Sequence, residues 1–174
     1  MTKRGLGPAS IGLCALLATV ACGDDQHVTT LQWYRRPCVG VFPQFCAVDI
    51  DPTGQRSLIY DHIEDYQLTW GVEADVRYHI EAGSGGADAG DDWVVDTVLA
   101  ERTMTPGTTV TWLLSAGEEW AAAVGDHVTV LGEPVVCEPA VCAELIGAAG
   151  REVDVAYTGD PALPLRATAV RTLR

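Results

Sequence analysis

The stretch Val72-Glu73-Ala74-Asp75-Val76-Arg77-Tyr78-His79-Ile80 decides the fold class. Val76, Tyr78 and Ile80 recur at every second position with charged or polar residues between them, the period of a long strand with one buried face. The same pattern returns on both sides of it. Residues 93–102 alternate through Val95, Thr97 and Leu99, and Cys46, Val48 and Ile50 alternate with Ala47, Asp49 and Asp51 before Pro52-Thr53-Gly54 turns the chain. Residues 28–37, with Leu31, Trp33 and Tyr34, read as a strand stopped by Pro37 that forms a hairpin with the strand at Cys46. Leu58, Ile59, Ile63 and Tyr66 are interleaved with Asp61, Glu64 and Asp65, so residues 57–66 read as a short amphipathic helix with Ser57 as its N-cap. Residues 31–104 thus form an expected β-β-α-β-β unit.

Thr105-Pro106-Gly107 is a turn signal that separates this unit from a second β-rich one, residues 105–174. Its strand candidates are residues 110–114, 128–131, 153–157 and 165–170, with a short helix over 140–149. The fold class expected is mainly β with one or two short helices. A weak internal echo runs through the chain. Cys38 and Cys46, Gly71, Val76 and Val98 have counterparts in order at Cys137 and Cys142, Gly150, Val155 and Val170. The spacings differ, since Cys46 lies 25 residues before Gly71 and Cys142 only 8 before Gly150, whereas a repeat is normally recognised by a constant period.

The start of the chain is different in kind. Lys3 and Arg4 precede an apolar run through Ile11, Leu13, Leu16, Leu17 and Val20, which is too short to span a bilayer and ends at Gly23-Asp24-Asp25. Residues 1–21 read as an export signal. Thr19-Val20-Ala21-Cys22 resembles the lipobox of bacterial lipoproteins, in which small residues precede the cysteine that receives the acyl chains. Thr19 stands where that pattern prefers leucine. Cys22 is therefore the expected lipidation site, residues 22–30 the tether, and the outer membrane of the cell envelope the expected location.

Without residues 1–21 the chain has 153 residues and no lysine, with nine arginines against 24 carboxylates and a net charge of −15. Such a field repels nucleic acid and anionic head groups, so attachment falls to the lipid. Five tryptophans, five tyrosines and many valines separate it from a disordered acidic chain. Cys14 leaves with the signal and Cys22 is taken by lipid. Cys38, Cys46, Cys137 and Cys142 remain, in a compartment where disulfides persist, and chain proximity favours Cys38–Cys46 and Cys137–Cys142. A four-thiolate zinc site fits the C-x7-C and C-x4-C spacings less well.

Residues 31–103 resemble the bacterial family known as domain of unknown function 4377. Its members carry two cysteines, then a stretch reading approximately I-x-G-F-x-Y-x-x-G-x-x-Y, a strand, a variable loop and a closing strand. Here these are Cys38 and Cys46, Ile63, Tyr66, Gly71, the strand through Val76 and Ile80, a loop, and residues 95–101, with Asp65 and Leu68 departing from the pattern. The resemblance implies an envelope lipoprotein module and no particular chemistry.

Catalytic signals are weak. On a helix His62 turns away from the face shared by Asp61, Glu64 and Asp65, while His27, His79 and His127 are scattered. Asp88, Asp91 and Asp92 sit in a glycine-rich loop without the alternation of a calcium-binding loop. Ser84 is not in a nucleophile elbow, and no phosphate loop or H-E-x-x-H occurs. No cofactor is indicated. Trp33, Trp70 and Trp93 are candidates for ligand-facing aromatics, although large side chains of a small β domain are more often core. The expectation is an envelope binding or structural module whose partner is a protein, peptide or glycan. Its alternative is an envelope enzyme or metal-binding protein whose site is assembled from residues distant in sequence.

Overall fold

A computed structural model describes residues 26–60, 62–82, 91–125, 127–147 and 149–173. Twelve strands and one helix form among them: β1 (His27–Val39), β2 (Pro43–Ile50), β3 (Arg56–Ile59), β4 (Ile63–Glu64), β5 (Val72–Ala82), β6 (Asp91–Thr103), β7 (Thr109–Leu114), β8 (Ala121–Val124), β9 (His127–Val130), β10 (Glu133–Val136), α1 (Pro139–Leu145), β11 (Arg151–Tyr157) and β12 (Leu165–Thr172). They make two six-stranded sheets, β3-β2-β1-β5-β6-β4 and β7-β11-β12-β10-β9-β8. The fold is mainly β with one short helix.

The first sheet cannot be flat. Its edge strands, β3 and β4, would lie about 24 Å apart across five spacings of ~4.8 Å, yet the chain from Ile59 to Ile63 reaches at most ~14 Å. The sheet must curl until its edges nearly meet. One apolar cluster accordingly takes side chains from all six strands: Leu31, Ala47, Ile59, Ile63, Ala74, Val76, Tyr78 and Val95.

Strand pairing reveals a duplication. β1-β5-β6-β4 and β7-β11-β12-β10 share neighbour order and sense, antiparallel twice and then parallel. Arranged on the closed ring β1-β5-β6-β4-β3-β2, the two sheets have the same strand order. The first is cut between β3 and β4, the second between β7 and β8. Register agrees residue for residue. Asp75 lies opposite Thr30 and Ala100, and Glu73 opposite Arg102; Asp154 lies opposite Thr111 and Ala169, and Glu152 opposite Arg171. A bulge follows Asp75 in one copy and Asp154 in the other.

These positions also share chemistry. The Arg102 guanidinium donates to both oxygens of Asp75 at 2.6 and 2.8 Å and to Glu73 at 3.0 Å, while the Thr30 hydroxyl donates to Asp75 at 2.7 Å. Arg171 does the same to Asp154 at 2.6 and 2.8 Å and to Glu152 at 3.1 Å, with Thr111 donating at 2.9 Å. The bidentate Arg102 contact, with the Thr30 bond, holds the Asp75 carboxyl down at about 2. Gly71 and Gly150, and Val76 and Val155, are thus equivalent, as the echo in the sequence has them. The cysteine pairs are not. Cys38–Cys46 joins β1 to β2, whereas Cys137–Cys142 ties the exit of β10 into α1.

The sequence expectations need four corrections. Residues 57–66 are not a helix: they hold β3, β4 and the segment between, and Asp65 takes a positive φ of 60° that ends β4. Leu58 packs toward the inter-sheet core and Ile59 toward the interior of the first sheet, so adjacent apolar residues mark a strand covered on both faces. Pro37 does not stop β1. β5 pairs with β1 only as far as Leu31, so at Pro37 the ladder runs on the β2 side and a missing N–H is tolerated on the other. β1 also begins at His27, inside the stretch read as tether. Finally, β8 and β10 were not expected, since Ala121–Val124 and Glu133–Val136 are too short to show a period.

The two sheets share a core. Trp33, Tyr34, Val48 and Trp70 of the first half pack with Trp112, Leu114, Val153, Val155 and Tyr157 of the second. Phe45 lies 5.3 Å from both Trp70 and Trp112, and Trp33 lies 6.2 Å from Tyr157, centroid to centroid. The Trp112 indole donates to the Arg35 carbonyl at 3.0 Å. At the centre of this seam is Gly71, with φ of +82° and the Tyr157 ring so close that a Cβ would lie 2.1 Å from Cζ. Gly71→Ala should therefore destabilise the chain by roughly 3 kcal/mol in denaturant melts. Gly54→Ala, at a similar φ of +87° with nothing within 4 Å, should cost only about 1 kcal/mol. Equal losses would mean that backbone conformation, not the tyrosine, makes glycine necessary.

Candidate functional site

Cys22, Asp61 and Asp88 lie outside the described residues. His62, Glu64 and Asp65 are exposed and do not converge. Asp91 and Asp92 open β6 opposite Ala82 and Glu81. Among the described residues, no three His, Cys, Asp or Glu side chains gather at metal-binding spacing. The four cysteines form the disulfides Cys38–Cys46 and Cys137–Cys142, with Cα atoms 5.9 and 5.4 Å apart. Trp33 and Trp70 are 5% and 8% exposed and belong to the core. Trp93 is half-buried and stacked on Tyr78 at 4.2 Å. The seam between the sheets takes up Trp33 and Trp70, whereas Trp93 packs in the apolar cluster of the first sheet alone.

Two titratable groups stand out. The His79 ring, on the outer face of β5, has Asp96 at 2.9 Å from Nδ1 and Glu81 at 3.0 Å from Nε2, which raises its pKa. It is a surface ladder rather than a catalytic pair, because all three groups meet solvent. Asp49 is 4% exposed within the first curled sheet. Its Oδ2 accepts from the Thr29 hydroxyl at 3.0 Å, but that hydroxyl is also 2.9 Å from the Ile50 carbonyl, and Oδ1 is buried without a partner. Burial pushes the Asp49 carboxyl up, against the lowering effect of Thr29.

Two clefts lie beside the seam. One, about 240 Å³, opens where β3 and β4 fail to pair, between Phe45, Ala47, Ile63, Tyr66 and Leu68, with Arg35 and His62 at its wall. The charge of Arg35 is already engaged: it donates to the Leu68 carbonyl at 2.9 Å, faces Glu133 at 3.5 Å and lies 5.1 Å over the Trp70 ring. The other, about 420 Å³, lies across the junction of the two halves. It is lined by residues 32–34, Arg36 and Arg56 from the first and residues 109–111 from the second. No carboxylate and no histidine is in its wall. Neither Arg36 nor Arg56 makes an ion pair among the described residues.

Comparison with protein-family models, curated proteins and solved structures finds no match. The arginines of the junction cleft escaped sequence reasoning because Arg36, Arg56 and Thr109 are brought together only by the strand order β3-β2-β1 and by the packing of β7 beside β1. The signal available was the scarcity of cations in so acidic a chain.

Asp49 allows a test by linkage. Its pKa is higher folded than unfolded, so the stability it contributes is full below the ordinary aspartate range and is lost as pH rises through its folded value. Asp49→Asn should therefore gain on the parent as pH is raised from about 3 to 7. A melting-temperature difference that stays constant across that range would show that Asp49 titrates normally.

Proposed function

We propose that the chain is a lipid-anchored protein of the bacterial cell envelope, of the kind that the domain of unknown function 4377 resemblance implies, and that it works as a binding module through the junction cleft. The observation that carries this reading is that the cleft takes its wall from both copies of the duplicated fold. A site at a junction exists only when both halves are docked, which gives the aromatic seam a purpose beyond stability. Its lining of Gln32, Trp33, Tyr34, two arginines, two threonines and Val110 offers donors and apolar surface but no acid–base pair, which favours binding over catalysis.

The anchor supports the same reading. From Cys22 the chain reaches at most ~17 Å before β1 begins at His27, so the His27 end of the first sheet faces the bilayer. Arg36 lies about 30 Å further along β1, which holds the cleft clear of the head groups. No helix among the described residues is long and apolar enough to cross a membrane, and an acidic surface gives no electrostatic attachment to anionic lipid.

Cys22→Ala should abolish labelling by radioactive palmitate and move the protein from the membrane fraction to the soluble one. A variant that stays in membranes through a carbonate wash would place the anchor elsewhere and remove the lipoprotein reading.

A further inference from the structure

We infer that the junction cleft binds an oxyanion, a carboxylate or phosphate carried by a small molecule, held between Arg36 and Arg56. The inference rests on the binding-module reading above and names the chemistry of its ligand. In a chain of net charge −13, three of the eight described arginines pair with carboxylates. Arg35 faces Glu133, Arg102 spans Glu73 and Asp75, and Arg171 spans Glu152 and Asp154. Arg36 and Arg56 come from different strands, line one concave surface and have no such partner among the described residues.

Two further donors stand in the same wall. The hydroxyls of Tyr34 and Thr109 make no hydrogen bond with any described residue. The neighbouring acceptors are already used: Asp75 by Thr30 and Arg102, Glu73 by Gln32 and Arg102, and Asp154 by Thr111 and Arg171. The cleft is therefore a concave, donor-rich and locally cationic surface on an otherwise anionic protein. Planar guanidinium groups suit carboxylate and phosphate oxygens, which they can bind in a fork. The surrounding negative field repels polyanions, so the fitting ligand is small and of low charge. About 420 Å³ of space admits a phosphate or a single acidic sugar.

The test is a titration of the full-length protein in detergent, followed through the arginine side-chain N–H resonances. The probes are inorganic phosphate and D-glucuronate, with D-glucose as the neutral control. Phosphate, glucuronate or both should shift the Arg36 and Arg56 resonances saturably, and added sodium chloride should weaken the binding. Whichever of the two binds more tightly identifies the source of the oxyanion. Arg36→Gln and Arg56→Gln should each weaken binding about tenfold. Arg77→Gln, on exposed β5 outside the cleft, should leave it unchanged, as should the melting temperature in the cleft variants. Shifts that do not saturate, or that Arg77 shares equally, would overturn the proposal as adventitious ion association. Saturable binding of glucose that survives both substitutions would overturn the oxyanion assignment while leaving the cleft as a binding site. Absence of any saturable shift with all three probes would count against both readings.

Discussion

The close approach of Tyr157 to Gly71 is the constraint on which the rest of the structure depends. Gly71 takes a positive φ, donates its N–H to the Trp33 carbonyl at 2.9 Å and accepts from the Met104 N–H at 2.7 Å. It thereby ties the entry of β5 to β1 and to the exit of β6. The Tyr157 ring occupies the space a side chain would fill, and the Tyr157 backbone pairs with Gly107 and Thr108 at 2.7 and 2.8 Å. One residue of the second half thus reads the backbone of the first at its tightest point. With that contact set, Trp33, Trp70, Trp112 and Phe45 close around it, and β7 is fixed beside β1. The junction cleft is a consequence of this docking.

Duplication explains how such a small chain obtains two six-stranded sheets, and the copies differ in how each is completed. In the first copy β4 is a two-residue strand followed by a turn into Gly71. In the second, α1 is inserted between β10 and β11. A seven-residue helix is too short to be stable alone, and the insertion is held at both ends. Cys142 in α1 is bonded to Cys137 at the exit of β10. Arg151, which occupies the place of Val72, is 3% exposed and donates to the carbonyls of Ala149, Glu144 and Leu145. Burial lowers the pKa of this guanidinium, but it sits at the negative end of the helix and meets orphan carbonyls there, which offsets the lack of a carboxylate.

Much of this fold was legible and some was hidden for definite reasons. Strands long enough to show alternation, such as β5, β6 and β11, stand out in the sequence, and the short spacing within each cysteine pair favours the pairing found. The duplication was half visible. Its true signature is G-x-E-x-D-V at residues 71–76 and 150–155 with A-x-R-T at 100–103 and 169–172. Anchoring the echo on cysteines, which occupy non-equivalent places in the two copies, hides the regular part. The region 57–66 misled because burial on both faces of β3 abolishes the period of two. Composition alone does not distinguish the aromatics of a seam between two halves from those of a groove.

Arginine placement joins the fold to the candidate site. The copies each spend one arginine, Arg102 or Arg171, on the same task of holding two carboxylates that would otherwise repel across a strand. Arg151 completes the inserted helix, and Arg35 spans the seam from the Trp70 ring to Glu133. Each of these positions follows from a local surplus of acceptors. Arg77 and Arg166 also lack an ion pair among the described residues, but only Arg36 and Arg56 share one cleft. They stand where no acceptor has been supplied, on a concave surface that exists only because two copies of one sheet are docked. A charge that the fold does not need, kept where the fold has made a cavity, is best explained by something that enters the cavity.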